Sequence, residues 1–487
     1  MHRIRALALC GICLLLAAGI TAGCRSADPA PDVSSVPVSA SSSGPSSYTD
    51  IPTVPAPSSS PSWSDTSDDT TQAPSAPSQS QAPRPSADSS SPQTSSGSAG
   101  GSSGVASDGF SLEVLYPANR HYTPVAEEDK WYYKNLSTAQ KEIYHIIDKA
   151  AREMQEGRIL LGSCTYPDLA LAYTAVKSDH PEYFWLPTGY IYEMSGGQMY
   201  MAFSYTGGGY EIDYTYTEAE RDLLAARLRQ VLEEAGEELS AGMSEYEREL
   251  ALHDWLASRL TYDEETAAGS DAHPEAFTIA CLLDGRAVCE GYARSFQLLL
   301  NFAGIESTLV TGSIGDTGHM WNLVKIDGLW YHADATWNDS GDKGLHTYFN
   351  MTDAGIAADH VLDPDFDELS YDDLMDNRSF NYHLPACTST AANYFARTGG
   401  LITGEAAFAD EVAQGLAATA NRGGRGVEFC FADTYDMTFT SSEGILRWVT
   451  EAGCIRQANA RLPADKQLPA AITCNGIVGS KGFRLSW

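Results

Sequence analysis

Residues 284–304 read DGRAVCEGYARSFQLLLNFAG, and residues 319–337 read HMWNLVKIDGLWYHADATW. In the first stretch Asp284-Gly285 marks a turn. Tyr292, Phe296, Leu299, Leu300 and Ala303 then recur at helical spacing, and Gly304 is a natural stop. This places Cys289 in the first turn of a buried helix. A helix N-terminus favours an anion, so it lowers the pKa of a thiol there. The uncapped N–H groups beside it can also receive an oxyanion. Gly291 lets a second backbone pack close against the helix.

In the second stretch Asp327-Gly328 is a two-residue hairpin turn. The register it predicts sets Ile326 opposite Leu329 and His319 opposite Thr336. Asp334 then shares a sheet face with His319, one diagonal step away, within reach of an imidazole–carboxylate hydrogen bond. A cysteine at a helix start, facing a histidine and its orienting carboxylate, is the arrangement that covalent acyl chemistry needs. Taken alone, Cys289 could equally be an inert core thiol or be bonded to Cys281. His332 shares the face with Asp334 and could compete for it, although its mid-strand position suits a packed role better. Trp321, Trp337 and Tyr262 are expected as core or site walls. The remaining histidines lack zinc-type spacing, so no metal and no cofactor is expected.

Val288-Cys-Glu-Gly-Tyr-Ala293, His319-Met-Trp-Asn322 and Trp330-Tyr-His-Ala-Asp-Ala-Thr-Trp337 together resemble the transglutaminase-like superfamily, in the form common in bacterial surface proteins. The similarity covers roughly 244–383 and extends to Asp359-His360. It implies a papain-like core with Cys289 as nucleophile, His319 as base and Asp334 as orienter. It further implies a cysteine-dependent enzyme that opens amide bonds through a thioester. A peptidase or amidase is the favoured expectation. A protein cross-linker, transferring the acyl group to an amine, would use the same triad. A non-catalytic binding module is the reading from a different class.

The flanks read differently. Residues 1–23 have a basic start (His2, Arg3, Arg5) and an apolar run of about a dozen residues, as an export signal does. Thr21-Ala22-Gly23-Cys24 resembles the lipobox of bacterial lipoproteins, with Thr21 where leucine is usual. The resemblance implies acylation of Cys24 and anchoring at the outer face of the cytoplasmic membrane, at the bacterial cell surface. The substrate would then be a protein or peptide outside the cell. Residues 25–108 hold 28 Ser and 13 Pro. Such a stretch cannot bury enough apolar surface to offset its ordering entropy. The span 24–108 is therefore expected to be a disordered tether, or a glycosylated stalk.

The expected organisation of the rest is α+β. A mixed α/β region spans 109–243, the catalytic domain 244–383, and a small α+β domain 384–487. Ser137 and Thr217 open helices by capping boxes, and a hairpin turns at Gly196-Gly197. Cys387, Cys430, Cys454 and Cys474 allow either two disulfides or buried thiols. The formal charge is −33, from 31 basic and 64 acidic residues. Acidity of that size argues against nucleic acid as a partner, because phosphate binding needs basic patches. Of the total, −29 falls within 109–487.

Overall fold

The computed structural model describes residues 115–116, 121–207, 210–270, 273–339, 345–432, 441–476 and 481–487. The expected leader 1–23, Cys24 and the tether 24–108 lie outside the described residues. Among the described residues no helix is long and apolar enough to cross a membrane.

The local signals are realised where side chains meet the backbone directly. Helix α1 (Thr138–Arg152) starts on a capping box between Ser137 and Gln140. Its apolar spacing (Ile143, Ile147, Ala150, Met154) would carry it through Met154, but it ends at Arg152. Met154 turns left-handed (φ 49°), and the chain folds back to strand β1 (Ile159–Gly162). Helix α2 (Tyr166–Asp179) is buried on nearly every side. Strands β2 (Ile191–Ser195) and β3 (Gln198–Ala202) form the expected hairpin. Both turn glycines, Gly196 and Gly197, adopt the positive φ that a two-residue turn demands. The sheet order is β1-β3-β2. Helix α3 (Glu218–Gly236) starts on the Thr217–Glu220 box, and α4 (Glu245–Arg259) comes next.

The central layer holds the two diagnostic stretches. Strands β4 (Thr261–Tyr262) and β5 (Arg286–Ala287) pair in parallel and lead into helix α5 (Cys289–Phe302), all of whose residues are buried. Strands β6 (Ser307–Ile314), β7 (Thr317–Ile326) and β8 (Leu329–Ala333) come after it. Helix α6 (Ala335–Asn338) leaves the end of β8, and β9 (His360–Leu362) completes an antiparallel sheet of order β8-β7-β6-β9. The hairpin register is the expected one from Ile326↔Leu329 to Asn322↔Ala333. The expected His319↔Thr336 pairing does not form. The chain leaves the sheet at Asp334 and coils into α6, so Asp334 is a helix cap and not a strand residue.

The last part carries α7 (Tyr394–Thr398), β10 (Leu401–Ile402), α8 (Glu405–Asn421), β11 (Gly426–Phe431), α9 (Ser442–Glu451), α10 (Cys454–Asn459), β12 (Thr473–Gly476) and β13 (Gly482–Ser486). Its sheet runs β10-β11-β13-β12. The apolar spacing over 441–459 reads as a single helix, but α9 and α10 are separated at Gly453, whose left-handed backbone (φ 67°) starts a new turn. The fold class is α+β. One apolar core is continuous from Leu115 to Ala392, and a second belongs to the last sheet and its helices. The seven described cysteines form no disulfide, so Cys387, Cys430, Cys454 and Cys474 are thiols.

Helix α5 is held by close backbone approach. A Cβ added at Gly291 would stand 2.2 Å from the Ala276 carbonyl oxygen. Gly291→Ala should therefore lower unfolding free energy by at least ~2 kcal/mol, since neither backbone can retreat. Gly444→Ala, where the nearest atom lies 3.4 Å away, should be neutral or slightly stabilising. Denaturant midpoints of the two variants check both expectations.

Candidate active site

Cys289 is the first residue of α5. Val288 before it makes no side-chain cap hydrogen bond to the helix start. Strand β5 delivers the cysteine, with Val288 N–H donating to Ala276 O at 3.0 Å. Tyr262, half-buried, pairs through its backbone with Ala287, two residues before the sulfur. The sheet is tied to the helix by Asn322, whose buried Nδ2 donates to Ala293 O at 2.9 Å. This fixes β7, and with it His319, relative to Cys289.

Asp334 is positioned by the helix it opens. As the cap of α6, its Oδ1 accepts from the backbone N–H groups of Thr336 (2.9 Å) and Trp337 (3.1 Å). That leaves Oδ2 pointing back to the sheet, where His319 Nε2 donates at 2.6 Å. The Cys289 thiol interacts with the same ring. Cys289 and His319 are each 5% exposed and Asp334 is fully buried. The expected meeting of the three residues therefore occurs, although through a helix cap and not across a flat sheet face.

The electrostatics arise from this geometry. Burial alone would strip the proton from His319. The Asp334 charge and the bonds to Asp334 and Cys289 outweigh burial and lift its pKa to about 10. Burial would likewise raise Asp334, but two imidazoles hold it well below the usual carboxylate range. The arrangement keeps a proton on His319 beside the Cys289 sulfur.

The second imidazole is His360. Its Nε2 lies 3.1 Å from the same Asp334 Oδ2, and its Nδ1 lies 2.5 Å from Asp359 Oδ1. Tyr348 OH in turn donates to Asp359 Oδ2 at 2.5 Å. The Asp359-His360 pair was visible in the sequence, but its partner was not. Only the addition of β9 to the edge of β6 brings it to Asp334. His332 does not compete for Asp334. Its Nδ1 accepts from Trp321 Nε1 (2.9 Å), so its proton sits on Nε2 and faces Asp353 (3.0 Å). This pins Trp321, which is buried and stacks on His319 at 5.8 Å. Trp337 is half-buried and meets His360 edge-on at 5.9 Å. Cys281 is a core thiol, 3.3 Å from Ser295 Oγ and pushed up to about 12 by burial.

Among the described residues, His319, Asp334 and His360 bring their donor atoms close enough to surround a cation. Their spacing favours hydrogen bonds. Two ligands of one tetrahedral zinc at ~2.0–2.1 Å stand roughly 3.3 Å apart, whereas His319 and Asp334 approach to 2.6 Å. In the group formed by His332, Asp353 and Cys387, the proton on His332 Nε2 occupies the position a metal would need.

Comparison with known proteins finds a family likeness over part of the chain. Residues 234–335 match the profile of the transglutaminase-like superfamily. The kyphoscoliosis peptidase of Mus musculus is 30% identical over 112 residues, 20% of this chain and 17% of that protein. The Homo sapiens kyphoscoliosis peptidase is 28% identical over 112 residues, with the same coverage. The match thus spans less than a fifth of the length of these relatives. A crystal structure of a TGase is similar at 16% identity and a TM-score of 0.23, over 33% of this chain and 46% of that one.

The two thiols make a direct comparison. At pH 7, iodoacetamide should alkylate Cys289 at least ~100-fold faster than Cys281, because only the thiolate reacts. Peptide mapping of a time course measures both rates in one sample.

Proposed function

We propose, from a chain that carries a transglutaminase-like domain at residues 234–335, that Cys289, His319 and Asp334 are the catalytic triad of a cysteine-dependent enzyme acting on amide bonds. One observation carries the reading: His319 interacts with the Cys289 thiol and is hydrogen-bonded to a buried carboxylate that caps α6. The Cys289 thiolate attacks the amide carbonyl carbon, and the N–H groups at the start of α5 receive the developing oxyanion. As the C–N bond breaks, the His319 imidazolium gives its proton to the departing nitrogen. Asp334 holds the ring in place and balances its charge. The acyl group remains as a thioester on Cys289. Water then attacks, His319 takes a proton from it, and the thiolate leaves.

Hydrolysis makes the enzyme a peptidase or amidase, and this is the reading we favour. An amine in place of water would make it a cross-linker. The substrate is a protein or peptide outside the cell. The leader-like residues 1–23 and Cys24 support export and lipid anchoring at the cell surface.

Casein incubated with the enzyme and a labelled amine separates the outcomes. Shortened fragments without label support hydrolysis. Label on intact casein supports transfer. Activity persisting in Cys289→Ala would overturn the triad. The step that protonates the leaving nitrogen needs charged His319, so kcat/KM should fall as pH rises through about 10. In Asp334→Asn the carboxylate charge is gone, and this limb should move toward the ordinary histidine value of ~6.5, with kcat reduced ~10²-fold or more. For the anchor, labelled palmitate fed to cells expressing the full chain should enter the wild type and not Cys24→Ala.

A further inference from the structure

A cleft of about 430 Å³ opens between the C-terminal end of α4 and the last sheet, and no triad residue lines it. Its size lies in the range of small-ligand sites and is enough for a few amino-acid residues. Asp254, His346, Arg422, Glu428 and Arg484 are its charged and titratable lining residues.

Some of these charges are already matched. His346 Nε2 lies 2.8 Å from Asp254 Oδ1, and its Nδ1 lies 3.0 Å from Glu428 Oε2. Both ring nitrogens face carboxylates. Burial opposes a proton there, but these two bonds outweigh it and lift His346 to about 9. The Tyr394 ring lies flat on this imidazolium at 3.9 Å, with 8° between planes. The result is a rigid aromatic floor.

Other groups are not matched. Asp254 uses Oδ1 for both His346 and His253, and its side chain is 51% exposed, leaving Oδ2 open to the cleft. Arg484 makes a single 3.4 Å contact to Glu428 Oε1. The exposed Arg422 reaches only Thr419 Oγ1, at 3.5 Å. Two guanidiniums with donors to spare thus line the same cleft as one carboxylate with an oxygen to spare. Paired guanidinium forks suit a carboxylate, and a lone carboxylate oxygen suits an ammonium. In a chain with 64 acidic and only 31 basic residues, two arginines at one cleft are a local exception. The acidic surface elsewhere would repel a ligand carboxylate.

We propose that this cleft binds a short zwitterionic peptide segment, its carboxylate held by Arg422 and Arg484, its amine by Asp254, and its body over Tyr394. The site is separate from the triad and does not depend on the catalytic reading.

The tripeptide Lys-Ala-Glu, titrated calorimetrically into the full chain carrying Cys289→Ala, tests this without turnover. Saturable one-to-one binding is expected. Arg422→Ala, on an exposed side chain, should weaken it at least ~10-fold, as should replacing the probe with uncharged acetyl-norleucyl-alanyl-glutamine amide. Asp254→Asn should weaken the tripeptide more than its N-acetylated, side-chain-neutral form. Three results would overturn the proposal. These are absence of binding, equal binding by Arg422→Ala, and sulfate competing as tightly as the tripeptide, which would mark a simple anion site.

Discussion

The carboxylate of Asp334 does two jobs with two oxygens, and the site depends on that division. Oδ1 ends a strand and starts a helix by capping Thr336 and Trp337. Oδ2 holds the imidazoles of His319 and His360. A cap is a stiff mount, because the two backbone bonds fix both the position and the rotation of the group. The buried charge is tolerable only because four donors meet it, and breaking such a set leaves an uncompensated ion. The same bonds that build α6 therefore orient the His319 ring.

Cys289 is mounted by different means. Helix α5 lies within the core, so its starting position can be set by sterics. Gly291 admits the Ala276 carbonyl, and Asn322 bridges from β7 to Ala293. Trp321, held by His332, backs the His319 ring from behind. Each support is short and specific, which matters because catalytic groups displaced by about an ångström lose much of their rate advantage. The chain beyond residue 384 adds its own core and a second charged cleft, joined to the first part through the Asp254–His346–Glu428 bonds.

Local chemistry was legible in advance. The capping boxes at Ser137 and Thr217, the Gly-Gly and Asp-Gly hairpins and the start of α5 at Cys289 all rest on contacts between residues a few positions apart. The reading failed where a nearby signal met a distant constraint. A continued β8 was the simplest extension of the hairpin, but the side chain of Asp334 makes a better cap than strand residue. The break in the last helical pattern at Gly453 is a related case, in which one left-handed residue outweighs apolar spacing.

By itself, the sequence determined that a cysteine starts a buried helix and that a histidine and an aspartate ride one hairpin, because turn chemistry and apolar period are local. The tertiary structure decided which imidazole shares Asp334. His332, adjacent in the hairpin, is turned to Trp321 and Asp353. His360, remote in sequence, arrives with β9. It also decided that Asp254, His346 and Glu428 meet, although up to 174 positions separate them. No sequence period encodes such meetings, because they depend on how sheets and helices stack to bury a common core.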